Sequence, residues 1–305
     1  MELKLQEKRL IAQDTVRLRF VPIKSATLPS FQAGAHIDIV FAEFQRQYSL
    51  VSSPDDLRAY DICVHLAEQG RGGSSYLVNK ILVGETINLL SVNNAFTLTK
   101  TATHTVLIAG GIGITPLLSM AQALHQDGRS FELHYINHDA ARRLPLPAAI
   151  ERNTLHYTGR TGLKPFDSEA LFDTIRPTSH VFACGPVALL SALKRGAESK
   201  QFPLNQFHVE SFGLQFEASD KEVNLHLLRS DLRLRLAPGK SILDTLLENG
   251  VWAGYECRRG QCGACLTGVV SGKPIHRDSI SQEQRGDNIY TCVSWASSED
   301  LVLNI

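Results

Sequence analysis

The sequence predicts a multidomain chain with three architectures in tandem. An antiparallel β-barrel is expected over residues 1–100, an α/β domain with a parallel sheet over 101–213, and a small α+β domain over 223–305, with a linker at 214–222 before the last. Three observations predict this. The first hundred residues alternate apolar and polar in short runs, the pattern near Thr101 changes to apolar strand, glycine turn and helix, and four of the six cysteines gather in the last fifty residues.

In the first segment Val16–Phe20, Ile37–Phe41, Tyr60–Val64 and Thr86–Leu90 are short runs of strand formers separated by turn signals, as in a barrel or sandwich. Cys63 falls in one of them and reads as a core residue. Gly70-Arg71-Gly72-Gly73-Ser74-Ser75 interrupts the strands as a glycine-rich turn opening a short helix, whose free N–H groups and hydroxyls suit a phosphate. Arg46-Gln47-Tyr48-Ser49 is a second phosphate-capable run: the guanidinium fork matches a phosphate, the phenol offers a flat face and the serine a small hydrogen-bonding group. Taken alone, each also reads as a surface pair or an ordinary turn.

From Val106 to Ala109 the chain is continuously apolar, then runs Gly110-Gly111-Ile112-Gly113-Ile114-Thr115-Pro116 into a helical pattern that ends near Gly128. Strand, glycine turn, early proline and terminal glycine mark a βα unit of a parallel sheet. Further strands are expected at Phe131–Ile136, His180–Ala183 and Gln206–Glu210, the second running through Cys184-Gly185-Pro186 into another helix. Ligands of such sheets bind beyond the carboxyl ends of the strands, where both glycine turns fall. The motif G-G-x-G-x-T-P is not the dinucleotide fingerprint, so tight helix–strand packing and ligand binding stand side by side as its readings. For Cys184 the alternatives are a small packed residue and a ligand contact.

The last domain opens with a hairpin pattern, Val223–Leu228 and Leu232–Leu236. Ser241-x-x-Asp244 then caps a helix over Ile242–Glu248 that stops at Gly250, and strands follow at Leu266–Val270 and Leu301–Ile305. Between them lies Cys257-x4-Cys262-x2-Cys265, with Cys292 further on, the plant-type [2Fe-2S] ligand spacing. Gly254, Gly260, Gly263 and Ala264 let backbone N–H groups approach the sulfurs. Structural zinc usually pairs its ligands as C-x2-C twice, and only Cys262 and Cys265 are so spaced, so iron–sulfur is the better reading. A disulfide framework fits neither the chain's size nor the clustering.

Composition supports this frame. The 31 basic residues balance 31 acidic ones over 305 residues, which gives no electrostatic case for nucleic acid or an anionic membrane. The apolar runs are too short to cross a bilayer, and the first residues lack the apolar core of a secretory leader, so a cytoplasmic setting with reduced thiols is expected.

These motifs together resemble the phthalate dioxygenase reductase family, the reductase components of Rieske non-haem iron oxygenases, including those of vanillate O-demethylases and carnitine monooxygenase-like systems. The resemblance runs over nearly the whole chain through RQYS (46–49), GRGGSS (70–75), AGGIGITP (109–116), ACGP (183–186), VESF (209–212) and the cysteine set. It implies a ferredoxin reductase-like pair of domains followed by a β-grasp ferredoxin. It also implies that Arg46 and the Gly72, Gly73, Ser74, Ser75 turn hold the phosphate of FMN, with Gln47 in the same run, while Tyr48 and Ser49 lie against the isoalloxazine. His65, Leu66 and Ala67 would meet the ring edge through backbone atoms. Gly110, Gly111, Gly113, Thr115 and Pro116 would shape the NADH site, joined by Gly185 and Pro186. Ser49, Thr115, Cys184 beside the nicotinamide and Phe212 near the flavin would stand at the reaction centre. Cys257, Cys262, Cys265 and Cys292 would ligate the cluster.

The chain departs from its relatives in two places. Arg258 and Arg259 stand where many relatives carry acidic residues, which suggests an exposed basic pair docking on an acidic partner surface. After the second strand of the sheet, Asn137-His138-Asp139-Ala140-Ala141-Arg142-Arg143 replaces a Tyr-x-x-Arg-type ending. There Asp139 suits a ribose hydroxyl and so NADH, while Arg142 and Arg143 suit the 2′-phosphate of NADPH. The expected function is an NADH-dependent reductase passing electrons through FMN and [2Fe-2S] to a Rieske oxygenase. The rival readings are a stand-alone flavin reductase or diaphorase, and a zinc-containing binding module.

Overall fold

A computed structural model describes residues 1–24, 27–67, 72–158, 166–212, 219–260, 262–278 and 285–305. They form two compact units, Met1–Glu210 and Ser211–Ile305.

In the first unit β1 (Glu2–Ala12), β2 (Thr15–Pro22), β3 (His36–Phe41), β4 (Phe44–Ser49), β5 (Tyr60–His65) and β6 (Thr86–Asn93) make an antiparallel sheet in the order β4-β3-β6-β1-β2-β5. An isolated bridge, Leu50 to Ile62, joins the two ends and closes the barrel. The alternation seen in the sequence is the alternation of the pleat. Val16, Leu18 and Phe20 on β2 and Ile37, Ile39 and Phe41 on β3 are buried, each contributing roughly 1.5–3 kcal/mol by leaving water. Arg17 and Arg19, on the opposite face, both reach the buried carboxylate of Asp61, at 2.6 and 3.0 Å. The four expected strands are present. The chain adds β1, and also β4, which carries RQYS. The short helical stretch α1 (Gly73–Ser75), continued as a single wide turn over Tyr76–Lys80, follows Gly72 in the left-handed region at φ +80°. Gly70 and Arg71 of the expected turn lie outside the described residues.

The parallel sheet of the same unit runs β11-β10-β7-β8-β9, built from β7 (Thr105–Gly110), β8 (Phe131–Asn137), β9 (Thr154–Thr158), β10 (His180–Cys184) and β11 (Phe207–Glu210). Every residue of β7 is buried because helices cover both faces. On one side α2 (Ile114–Gln126), with the short α3 (Ala148–Glu151), shares a core with barrel residues Val51, Cys63 and Phe96. On the other, α4 (Ser168–Thr174) and α5 (Val187–Ser199) pack over Val106, Ile108 and Val181. Polar contacts stitch barrel to sheet: Gln122 Nε2 donates to the Val51 carbonyl (2.9 Å), and Arg129 to that of Thr99 (2.7 Å). Gly34, at φ +90°, lies so close to the Phe96 carbonyl and the Met120 side chain that no Cβ fits there.

The second unit holds a mixed sheet in the order β13-β12-β18-β14-β16, from β12 (Val223–Leu227), β13 (Leu232–Leu236), β14 (Leu266–Ser271), β16 (Asn288–Tyr290) and β18 (Asp300–Leu303). A small ladder of β15 (Pro274–Ile275) and β17 (Trp295–Ala296) flanks it. Helix α6 (Ile242–Glu248) covers the sheet and buries Ile242, Leu243 and Leu246 against Trp295 and Leu301. Its capping box forms as expected: Ser241 Oγ accepts the Asp244 N–H at 2.9 Å.

The expected linker falls partly outside the described residues, at 214–218. Its end is not a loose tether. Asp220 makes a two-pronged ion pair with Arg277, both side chains almost wholly buried, and the Lys221 carbonyl accepts from Trp295 Nε1 at 3.2 Å. Asp220, one of the polar residues in that stretch, belongs to a buried salt bridge. Replacing Asp220 with Asn strands a buried guanidinium and is expected to cost about 3–5 kcal/mol of the second unit's stability, whereas the apolar double replacement Asp220→Leu, Arg277→Met costs less. Urea unfolding followed by Trp fluorescence checks this; equal midpoints for wild type and Asp220→Asn would contradict it.

Candidate functional site

β4 carries Arg46, Gln47, Tyr48 and Ser49, with Arg46 and Tyr48 on one face of the strand and Gln47 and the buried Ser49 on the other. Arg46 lies along the turn at 72–75: a Cβ on Gly73 would stand 2.8 Å from its Nε, so glycine is what lets guanidinium and turn approach. Its guanidinium also stacks on the Phe44 ring, 5.2 Å from the centroid. Ser74 Oγ accepts the Ala67 N–H at 3.1 Å, which joins the turn to the segment His65, Leu66 and Ala67 after β5. His65 itself is fixed by Thr15 Oγ1, 3.0 Å from Nδ1. Burial pushes the Tyr48 phenol up to about 12, against the pull of Arg46, so it presents a neutral ring. The structure thus sets a guanidinium against the glycine–serine turn, with the Tyr48 ring beside it.

The glycine turn Gly111–Gly113 lies beside β5, and the turn after β10 closes on it. A Cβ on Gly110 would stand 2.6 Å from Pro186 Cδ, one on Gly185 2.9 Å from Gly110 Cα, and one on Gly113 would run into the Cys184 carbonyl. Close packing is therefore part of what these glycines do. Gly111, at φ +54°, faces open space instead. Thr115 is buried and donates to the Ile112 carbonyl at 3.0 Å, and Pro116 is buried behind it. Cys184 is fully buried. Asp139 is committed locally, accepting the Ala141 N–H at 3.0 Å, and Arg142 lies 3.9 Å from Asp14 of the barrel hairpin. Phe212 belongs to the second unit and is 40% exposed.

The cysteine loop holds its thiols as two pairs. The Cys265 and Cys292 sulfurs, both buried, are 3.2 Å apart, and the Cys257 and Cys262 sulfurs each accept the other residue's backbone N–H, at 3.4 and 3.5 Å. The Arg259 N–H adds a third such bond to Cys257 Sγ at 3.4 Å. In the buried pair the two thiols share a hydrogen bond, which lowers Cys265 to about 7 and, with burial, raises Cys292. Two thiol pairs supplied with N–H donors are the donor set of a two-iron cluster, so the residues fit that group. Gly260, at φ +69°, makes this possible: a Cβ there would stand 2.6 Å from Val293 and 2.9 Å from Asp278.

The arginines of the loop differ from expectation. Arg259 is only 7% exposed. Arg258, a non-glycine residue at φ +52°, stacks on Tyr255 at 4.3 Å and donates to Asp244 Oδ1 at 2.8 Å. The capping carboxylate of α6 therefore has a second task, since its other oxygen takes the Ser241 hydroxyl at 2.7 Å. The pair is a brace for the loop rather than an exposed docking patch. Sequence reading found Asp244 as a cap but had no signal for Arg258 folding back onto it.

Comparison with known proteins agrees with this layout. Residues 2–96 match the family model described as oxidoreductase FAD-binding domain, and residues 225–297 that of the 2Fe-2S iron-sulfur cluster binding domain. The chain is 37% identical to tetrachlorobenzoquinone reductase of Sphingobium chlorophenolicum, over 97% of this chain and 95% of that one. It is 32% identical to phthalate dioxygenase reductase of Burkholderia cepacia, over 100% and 97%. The solved structure of a phthalate dioxygenase reductase, described as modular for electron transfer from pyridine nucleotides to [2Fe-2S], superposes with a TM-score of 0.78 at 31% identity, covering 100% of this chain and 98% of that one.

The brace yields a direct expectation. Arg258→Ala removes both contacts while keeping a strained backbone, so the variant should release iron to a chelator several-fold faster than wild type, read from the visible absorbance. Arg258→Gly relieves the backbone strain of about 1 kcal/mol and should fall between the two. Equal release rates for all three proteins would contradict the assignment.

Proposed function

Because the chain belongs to the phthalate dioxygenase reductase family, an oxidoreductase family with flavin and [2Fe-2S] domains, we propose that it draws electrons from NADH and delivers them through FMN and a [2Fe-2S] cluster to a Rieske-type oxygenase. The observation that carries the reading is the pairing of Cys257 with Cys262 and of Cys265 with Cys292, in a chain that also carries an arginine–glycine cradle at the barrel mouth. When bound, the flavin takes two electrons from the nucleotide and the cluster passes them on singly.

The chain's own residues bind and orient. Arg46, with Gly72, Gly73, Ser74 and Ser75, would hold one terminal phosphate, which favours FMN over FAD. Tyr48 and Ser49 would support the ring system, and His65, Leu66 and Ala67 its edge. Gly110, Gly111 and Gly113, with Thr115, Pro116, Cys184, Gly185 and Pro186, would shape the nucleotide site. Phe212 would approach the flavin. Asp14 beside Arg142 draws that guanidinium away from a 2′-phosphate role, which supports NADH over NADPH. Among the described residues no helix is long and apolar enough to cross a membrane, and the proposed setting is the cytoplasm.

The test is Cys262→Ser in the reconstituted system. It should lose the cluster absorbance and all transfer to the oxygenase while NADH still bleaches the flavin. Undiminished oxygenase reduction without a cluster would refute the proposal. In the same assay Arg46→Ala should weaken FMN retention about 10- to 100-fold, the range for losing a charge-assisted contact to a phosphate.

A further inference from the structure

Asn137, the last residue of β8, is 3% exposed, and neither its Oδ1 nor its Nδ2 has a hydrogen-bond partner. Buried amides in proteins are nearly always satisfied, and one left bare in both directions needs a reason. The amide faces the Tyr135 phenol and holds its pKa down against the rise that burial causes, but no donor–acceptor pair between them reaches hydrogen-bond geometry, and the phenol oxygen already accepts the Leu144 N–H at 3.1 Å. The Arg143 guanidinium lies near the same phenol, its Nε likewise buried without a partner.

The position supplies the reason. Gly110 on β7 is in register with Ile136 on β8, so Asn137 stands one residue further on, alongside the Gly111–Gly113 turn, whose first glycine faces open space. This is the carboxyl edge of a parallel sheet, where α/β folds bind their ligands. Asp139, the residue that the sequence pointed to for a ribose, also caps the turn by accepting the Ala141 N–H.

We infer that Asn137 is a nucleotide-contacting residue, its carboxamide donating to one hydroxyl and accepting from the other of a ribose diol of the bound nicotinamide nucleotide. A diol is a donor and an acceptor at once, and it answers both bare atoms together. The inference rests on the NADH reading above and names a residue that the family-based assignment does not use.

The experiment compares holoenzyme carrying Asn137→Ala and the isosteric Asn137→Asp with wild type, reading NADH-dependent flavin bleaching. Loss of one or two hydrogen bonds should raise KM for NADH about five- to tenfold in the Ala variant, with the rate at saturating NADH retained. The Asp variant, which keeps the shape and loses the donor, should also bind more weakly. The thermal midpoint of the Ala variant should be unchanged or higher, since that mutation removes an unsatisfied group. Competition by ADP-ribose and turnover of reduced nicotinamide mononucleotide tell which ribose is read; weakening of either supports the contact. KM within twofold of wild type in both variants, with neither fragment affected, overturns the inference alone. Wild-type flavin that NADH fails to bleach overturns the reading beneath it as well.

Discussion

Four cysteine sulfurs, three from one loop and the fourth from Cys292, are brought close together, and the second unit is built around that constraint. Backbone N–H groups of Cys257, Arg259 and Cys262 are turned onto the sulfurs. This curl demands left-handed backbone at Arg258, Gly260 and Gly263. Only the glycines adopt it without strain, and Arg258 is held there by its ring stack on Tyr255 and its bond to Asp244. Behind Gly260 stands Asp278, buried and paired with Arg285, so a neutralised ion pair rather than a bare carboxylate backs the loop. The sheet, its capping helix and the docked Asp220–Arg277 pair give the loop a rigid wall.

The first unit obeys a different constraint, close approach of backbones. Gly110, Gly113 and Gly185 bring the turns after β7 and β10 into direct contact, and Gly34 brings the barrel onto Phe96 and Met120. That contact fuses barrel and parallel sheet into one compact body, with Val51 and Cys63 sharing a core with α2. The same crowding makes the carboxyl edge of the sheet a place where a polar side chain such as Asn137 is buried before anything satisfies it.

Local pattern carried much of this in the sequence. The alternation of β2 and β3, the cap at Ser241 and Asp244, the helix at Ile242–Glu248 and the cysteine spacing all act within a few residues, so their physics is visible in a short window. What was not legible depends on partners far apart in the chain. Asp220 meets Arg277 across 57 positions, and the destination of Arg258 is decided by a helix fourteen residues earlier. Charge in a loop looked like a docking surface because composition does not reveal which way a guanidinium turns. The burial of Asn137 likewise follows from register with β7, which no single strand encodes.

The account stands or falls on the two kinds of redox site being joined in one chain. Anaerobic titration of the reconstituted protein with NADH, followed by visible absorbance, tests that most directly. The account predicts that each chain takes up two electrons for the flavin and one more for the cluster, both absorbances falling. Uptake that stops with the flavin, leaving the cluster spectrum untouched under excess NADH, would contradict it.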